Sequence, residues 1–138
     1  MFEYHGWITF VYSPYNVEDE DEKLDVVISY ARNFIEQVLN ERHIAELKVI
    51  NAEYMASFAG YANHRSPDVE AVIEFFEEIG QKAPGSYGLL YFWDDEAPDF
   101  NGDFKVGRLV RGEFEVVKDY YLSPRIPTLE DPDPGYKS

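Results

Sequence analysis

Two stretches of the chain repeat apolar residues at intervals of three and four, the spacing that places them on one face of an α-helix. The first stretch follows the acidic run 18–22. The second begins at Ser66-Pro67, where a serine N-cap followed by proline is a typical helix start, and we predict that Gly80 ends it. The apolar positions are Leu24, Val27, Ile28, Ala31, Phe34, Ile35, Val38 and Leu39 in the first helix, and Val69, Val72, Ile73, Phe76 and Ile79 in the second.

Other stretches concentrate β-branched and aromatic residues and are predicted to be strands. Phe2–Tyr12 is predicted to be a central strand buried on both faces. Glu46–Tyr54 is predicted to be a second strand, joined to the first by a helical crossover, and Met55–His64 is interpreted as an irregular connector. A meander then follows, with strands over Ser86–Trp93, Phe104–Val110 and Glu113–Lys118, a type I′ turn at Asn101-Gly102 and a further turn at Arg111-Gly112.

These elements predict an α+β fold in the order strand, helix, strand, helix, strand, strand, strand. A mixed sheet with both helices packed on one face would bury the apolar stripe of each helix. The length of 138 residues is that of one domain. We therefore predict a single domain over residues 1–122, followed by an extended proline-rich tail over residues 123–138 that includes Asp131-Pro132-Asp133-Pro134-Gly135.

The net charge of −15 changes this picture because the acidic surplus lies in two segments. Residues 1–22 contain six acidic residues and no basic residue, and residues 66–104 contain ten acidic residues against Lys82 alone. Such a field repels nucleic acid and anionic lipid and attracts cationic proteins. We therefore expect a basic protein partner, no nucleic-acid binding and no membrane binding.

Several classes of chemistry lack their residues in this sequence. The chain has no cysteine, and His5, His43 and His64 lack the short spacing of a zinc site. It also lacks a nucleophile elbow, a phosphate-binding loop and a dinucleotide fingerprint. We predict no catalytic residues, no metal and no cofactor. Because the amino terminus lacks the basic and apolar regions of a signal peptide, we expect a cytoplasmic protein.

The acidic residues that could contact a basic partner lie in three places. One group follows the aromatic run Tyr91-Phe92-Trp93, where acids beside aromatics would combine electrostatic steering with large apolar contacts. A second group lies outside the apolar stripe of the second helix, where the alternative is an ordinary solvated face. The third precedes the first helix, where carboxylates also favour the helix dipole. The candidate partner-binding residues are Asp94, Asp95, Glu96, Asp99, Glu70, Glu74, Glu77, Glu78, Glu20 and, in a neighbouring loop, Tyr15.

Four short motifs, taken in order, resemble the immunity protein 7 family of bacterial polymorphic toxin systems. They are Phe2-Glu3-Tyr4-His5-Gly6-Trp7, Gly88-Leu89-Leu90, Arg111-Gly112 and Asp119-Tyr120-Tyr121-Leu122-Ser123-Pro124. The resemblance implies a small cytoplasmic protein that protects a bacterium from a toxin delivered by its siblings, through stoichiometric binding. It assigns no site residues, and we interpret His5-Gly6-Trp7 as a packing motif. The expected function is neutralisation of a cognate, basic toxin domain.

Two other functions stay open at this point. A small carboxylate-dependent hydrolase would need a cleft that holds two carboxylates, one of them shielded by aromatic side chains. A non-inhibitory acidic adaptor would bind its partner without reducing the partner's activity. The sequence also leaves the oligomeric state open.

Overall fold

The computed structural model describes residues 1–38 and 42–132. In chain order its elements are β1 (Phe2–Phe10), α1 (Glu20–Val38), β2 (His43–Ile50), β3 (Glu53–Ala62), α2 (Pro67–Lys82), β4 (Tyr87–Asp94), β5 (Lys105–Val110), β6 (Glu113–Lys118) and α3 (Arg125–Thr128). Leu39 of the predicted first helix and residues 133–138 of the predicted tail, including Asp133, Pro134 and Gly135, lie outside the described residues. Within the described ranges, no helix is long and apolar enough to cross a bilayer.

The strands form one sheet in the order β2-β3-β1-β4-β5-β6, and every neighbouring pair is antiparallel. The predicted mixed sheet is therefore wrong. The cause is the hairpin between β2 and β3, where Asn51 and Ala52 both have positive φ, 51° and 69°, and reverse the chain. Because β3 then lies beside β1, helix α1 leads to the edge of the sheet and not to a parallel neighbour of β1.

The element order also differs from the prediction, because β3 occupies the stretch interpreted as an irregular connector. This strand is rich in alanine, serine and glycine, which carry little hydrophobic signal. At Gly60 a Cβ would lie 2.7 Å from Tyr4 Cε1 and 2.8 Å from His43 Nδ1, so a small residue there leaves room for larger neighbours. The predicted strand Glu46–Tyr54 spans the end of β2, the turn and the start of β3.

One of the two predicted tight turns is confirmed. Arg111 and Gly112 have φ values of 49° and 82° and connect β5 to β6. Asn101-Gly102 does not form a type I′ turn, because such a turn needs positive φ at both positions and only Gly102, at 88°, has it. Positive φ at both positions occurs instead at Asn51-Ala52 and at Arg111-Gly112.

Both predicted long helices are confirmed, although α2 continues past Gly80 to Lys82. Val27 and Ile28 of α1 and Phe76 of α2 belong to one buried cluster with alternate residues of the strands, so the two helices cover one face of the sheet. In β1 the buried residues are Phe2, Tyr4, Ile8 and Phe10. Glu3, His5, Trp7 and Thr9 alternate with this set and point to the other face. The prediction that β1 is buried on both faces is wrong, because Trp7 is 38% exposed.

Candidate functional site

Each carboxylate of residues 94–99, which we call the acidic loop, lies beside a basic group of the same chain. Asp95 Oδ1 lies 2.5 Å from the amino-terminal nitrogen of Met1, and Asp99 Oδ2 lies 2.5 Å from Lys105 Nζ. The other pairs are Glu96 Oε1 with His64 Nδ1 at 2.7 Å, and Asp94 Oδ2 with Arg65 Nη1 at 3.8 Å. The acidic loop is thereby attached to the start of β1, to the connection between β3 and α2, and to β5.

These pairs determine how much free charge the acidic loop presents. The side chains of Asp95, Glu96 and Asp99 are 40%, 52% and 69% exposed, whereas that of Asp94 is 10% exposed. Hydrogen bonding and charge from Lys105 lower the pKa of Asp99, which keeps its carboxylate ionised. Exposed ion pairs contribute little to stability. A basic partner can therefore displace Met1, His64 and Lys105 from the three exposed carboxylates.

The aromatic run before the acidic loop contributes mainly to the interior. Phe92 and Trp93 are each 6% exposed. Trp93 packs against Phe100 and Phe104, with ring centroids 4.8 and 5.1 Å apart, and the guanidinium of Arg125 lies 4.5 Å from its ring centroid. A partner at the acidic loop would therefore meet carboxylates without an exposed Phe92 or Trp93 ring.

The acidic loop and Glu70 form one group, at the end of the sheet where β1 begins. Phe2 pairs with Asp94 in the register of β1 and β4. Arg65 links the loop to α2, because its guanidinium donates to Glu70 and lies 3.8 Å from Asp94. Five candidate residues thus belong to this group: Asp94, Asp95, Glu96, Asp99 and Glu70.

Tyr15 and Glu20 lie beyond the opposite end of β1. Tyr15 is 67% exposed, and its hydroxyl accepts a hydrogen bond of 3.0 Å from Arg111 Nη2 in the turn between β5 and β6. Glu20 is the first residue of α1 and shares its first turn with Asp21 and Glu22. Carboxylates at that position interact favourably with the helix dipole, so part of the acidic run has a local structural reason.

The remaining glutamates of α2 differ in their surroundings. Glu78 accepts a hydrogen bond from the hydroxyl of Tyr30 on α1. Glu74 and Glu77 are exposed. Neither forms an ion pair with any residue in the described ranges. The negative charge of α2 is therefore least compensated at Glu74 and Glu77.

The face of the sheet opposite the helices, which we call the open face, was not identified from the sequence. Its aromatic side chains meet across neighbouring strands: His5 with Tyr61, and Trp7 with Tyr87, each pair 6.0 Å apart and nearly perpendicular. Tyr61 is 58% exposed and Tyr87 is 46% exposed. A groove of about 540 Å³ on this face also touches Leu122. His5 and Trp7 of the first family-like motif thus make cross-strand contacts while remaining partly exposed.

A buried carboxylate holds the chain after β6 against the sheet. Asp119 is 2% exposed and accepts hydrogen bonds from the Tyr91 hydroxyl, from the backbone N–H groups of Tyr121 and Leu122, and from the Ser123 hydroxyl. Burial raises the pKa of a carboxyl group, but these donors outweigh it and lower the pKa of Asp119. Burial and the contact with Asp119 raise the pKa of Tyr91 to about 12. Asp119 is therefore an ionised structural anchor.

Two other family-like motifs also have structural reasons. At Gly88 a Cβ would lie 2.0 Å from the carbonyl oxygen of Trp7, so glycine is needed for β1 and β4 to pair there. Arg111-Gly112 forms the turn between β5 and β6, whose positive φ values glycine adopts without strain. These motifs maintain the fold.

A second buried polar chain joins β1, β2 and α2. The His43 side chain is 1% exposed, and its Nδ1 lies 2.5 Å from the Tyr4 hydroxyl while its Nε2 lies 2.7 Å from Asp68 Oδ2. Hydrogen bonds from Ser66 and His43 lower the pKa of Asp68 to about 2, and burial raises the pKa of Tyr4. Because Tyr4 is only 2% exposed, a substrate cannot reach it. This network could not be predicted from the sequence, because its members are far apart in the chain.

The hydrolase alternative requires a cleft with two carboxylates. One cavity is lined by Asp94 and Asp103, but its volume of about 20 Å³ admits roughly one water molecule. Arg65 and Lys105 line the same cavity. A larger groove of about 450 Å³ is lined by Asp99 and Asp103, but Lys105 and Lys118 line it as well, and Lys105 Nζ lies 2.5 Å from Asp99 Oδ2. The small cavity therefore cannot hold a substrate, and in the larger groove one of the two carboxylates is paired with a lysine.

The pKa values also bear on that alternative. The carboxyl pKa values that shift clearly among the described residues, those of Asp68, Asp99 and Asp119, all move down. A general acid needs a raised pKa. In the same part of the chain, no group of three histidine, aspartate or glutamate residues could hold a metal ion.

Comparison with known protein families gives a match that covers nearly the whole chain. The family model described as Immunity protein 7 matches residues 1–131 of the chain. All described elements and all candidate residues lie within the matched region. No curated protein and no solved structure gives a significant match.

Proposed function

Because the chain belongs to the immunity protein 7 family, we propose that it neutralises a cognate toxin of a bacterial polymorphic toxin system by direct, stoichiometric binding. The observation that carries this proposal is the family match over residues 1–131 of 138. The family resemblance implies that the encounter takes place in the cytoplasm. The partner is a protein, and inhibition by occupancy requires neither catalysis nor a cofactor.

The charge of the chain favours a basic toxin domain. A net charge of −15 on a single domain creates a field that attracts a cationic partner and raises the rate of encounter by roughly 10- to 1000-fold. The same field repels nucleic acid and anionic lipid. A toxin domain with a basic surface therefore fits better than any other class of partner.

Among the candidate contacts, Glu74 and Glu77 have the strongest support. Both are exposed, and neither has an internal cation in the described part of the chain, so a partner's lysine or arginine would form a new pair without breaking another. The exposed carboxylates of the acidic loop contribute by exchanging their partners within the chain for basic groups of the toxin. The flanking contacts of the proposal are Asp94, Glu70, Glu78, Glu20 and Tyr15.

The test is to mix the protein with the toxin domain encoded beside its gene and to measure association at about 0.05 M and about 0.5 M salt, where screening differs strongly. We expect a tight one-to-one complex that is weaker at the higher salt concentration. Absence of association at the lower concentration would refute the proposal. Toxin activity is measured in the same mixtures, because an adaptor would bind without lowering it.

A pair of charge-reversed variants locates the surface. The Glu74→Lys/Glu77→Lys variant should bind the toxin more weakly than the Glu113→Lys/Glu115→Lys variant, which makes the same change in net charge on β6. Equal weakening by the two variants would show that only the net charge matters and that the assignment to α2 is wrong.

A further inference from the structure

Strand β2 is a sheet edge with few of the features that usually protect edges, since its exposed charged residues are Glu46 and Lys48. Its one neighbour among the described strands is β3, and the register of the two strands runs from His43 to Ile50 without a bulge. The strand contains no proline or glycine. Ile44, Val49 and Ile50 are 68%, 53% and 52% exposed. A long, regular edge with exposed apolar side chains is a template for pairing with another strand.

The opposite edge of the sheet, strand β6, has a higher density of charged side chains. Strand β6 contains Glu113, Glu115 and Lys118 among its six residues. Glu115 lies across from Arg108 of β5, with 2.5 Å between the carboxylate and the guanidinium. Charged side chains discourage edge-to-edge pairing, and β6 has three of them in six residues whereas β2 has Glu46 and Lys48 in eight, so β2 is the edge better suited to accept a further strand.

The hairpin determines which backbone groups of β2 are free. In a hairpin with a two-residue turn, the flanking residues Ile50 and Glu53 form a hydrogen-bonded pair, and such pairs alternate along the strands. Ile44, Glu46 and Lys48 therefore also direct their N–H and C=O groups towards β3. The residues that direct these groups away from β3 are Ala45, Leu47 and Val49.

The side chains of β2 on the open face are complementary to those of a second β2 strand that runs antiparallel to the first. When two β2 strands run antiparallel with Leu47 opposite Leu47, Glu46 of each copy faces Lys48 of the other, and Ile44 faces Ile50. These are non-hydrogen-bonded pairs, in which side chains approach most closely. Centring the pair on Glu46 would place glutamate against glutamate, and centring it on Lys48 would place lysine against lysine. Of these three registers, the one centred on Leu47 alone pairs opposite charges.

We propose that two copies of the chain pair through β2, about a two-fold axis at Leu47, and form one continuous antiparallel sheet with six strands from each copy. The outward backbone groups of Ala45, Leu47 and Val49 supply the hydrogen bonds. Within one copy, Lys48 Nζ already lies 3.0 Å from Glu46 Oε1. The interface therefore brings together four charges of alternating sign, two from each copy. The acidic residues Glu74 and Glu77 lie on α2 and not on this edge, so pairing through β2 is independent of the proposed toxin binding.

Sedimentation equilibrium tests the proposal at about 0.15 M salt, where the Debye length of about 8 Å screens the repulsion between two acidic chains. The mass of the wild type should rise with concentration from 16.1 kDa towards twice that value. The single variants Glu46→Lys and Lys48→Glu each place like charges opposite each other across the interface. The mass of each should therefore stay at 16.1 kDa. The double variant Glu46→Lys/Lys48→Glu restores opposite charges and should dimerise again. Glu115→Lys on β6 is the matched control and should dimerise like the wild type.

Three results would overturn the proposal: a wild type that stays at 16.1 kDa at every concentration, a double variant as monomeric as the single variants, or single variants that dimerise normally. The side chains of Glu46 and Lys48 are 57% and 61% exposed, so these substitutions leave the core intact. Hydrogen exchange of the wild type gives a second measurement. The amides of Ala45, Leu47 and Val49 should become more protected as concentration rises, and unchanged protection would also contradict the proposal.

Discussion

The hydroxyl of Tyr91 on β4 donates a hydrogen bond to the buried carboxylate of Asp119, which follows β6. Asp119 also receives the Ser123 hydroxyl at 2.7 Å, and Ser123 Oγ in turn accepts the backbone N–H of Phe104 at 2.7 Å. One carboxylate thus joins the strand β4, the approach to β5 and the chain that leaves the sheet. The motif over residues 119–124, the last of the four that resemble the family, therefore anchors this segment to the sheet.

Replacing Asp119 should strongly destabilise the protein. Asp119→Ala leaves a buried hydroxyl and backbone N–H groups without their acceptor, so we expect the free energy of unfolding to fall by about 2–4 kcal/mol. Tyr91→Phe removes one donor and should cost about 1 kcal/mol. Urea denaturation measures both, with Tyr120→Phe, at a 78% exposed position, as the control. An Asp119→Ala variant as stable as the wild type would contradict the role of the anchor.

Asp68 should make stability depend on pH in acid. Its pKa is about 2 in the folded protein against an ordinary 3.8, because Ser66 and His43 stabilise the carboxylate. A lowered pKa means that the stabilising contribution is present above the unfolded value and is lost as the pH falls from about 4 towards 2. Asp68→Asn should therefore lose less stability than the wild type over this range. The measurement is the urea midpoint at several pH values, and identical slopes for the two proteins would count against the assignment.

Replacing Gly88 should be more damaging than replacing Gly102. A Cβ at Gly88 would lie 2.0 Å from the Trp7 carbonyl oxygen, whereas a Cβ at Gly102 has no atom within 4 Å and meets only the strain of a φ of 88°. We expect Gly88→Ala to lower the free energy of unfolding by at least about 3 kcal/mol, and Gly102→Ala by about 1–2 kcal/mol. Thermal and urea unfolding measure the difference. Similar losses at the two sites would show that β1 and β4 can separate at little cost.

The helices could be predicted from the sequence, but the sheet could not be fully predicted, and the reason is visible in β1 and β3. The apolar stripes of α1 and α2 are local signals. In β3, Ala56, Ala59 and Gly60 give almost no signal, and the place of the strand depends on its pairing with β1. In β1, Trp7 is an aromatic residue beside the buried Ile8, so the pattern does not reveal that one face is open.

The acidic residues of the candidate site could be found in the sequence, but their electrostatic state could not. Asp95 and Glu96 are obvious as charges. Their partners, the Met1 ammonium and His64, come from distant parts of the chain and are brought close only by the fold. The number of acidic residues therefore overstates the unpaired charge of the acidic loop when the loop is compared with α2.

That difference predicts which carboxylates steer a basic toxin. Glu74→Gln/Glu77→Gln and Asp95→Asn/Asp99→Asn each remove two negative charges. The first pair has no internal cation in the described ranges, whereas the second is offset by Met1 and Lys105, so the first should slow association more. Stopped-flow association rates at low salt make the comparison. A larger loss from the acidic-loop variant would move the centre of the interface to that loop.

Titration of toxin activity with the protein tests the central claim most directly. If the chain neutralises its toxin by stoichiometric binding, activity should fall linearly and reach its minimum at one molar equivalent of protein. Full toxin activity in the presence of excess bound protein would contradict the claim and favour an adaptor. Loss of activity at far below one equivalent would contradict it as well, because it would require catalytic turnover.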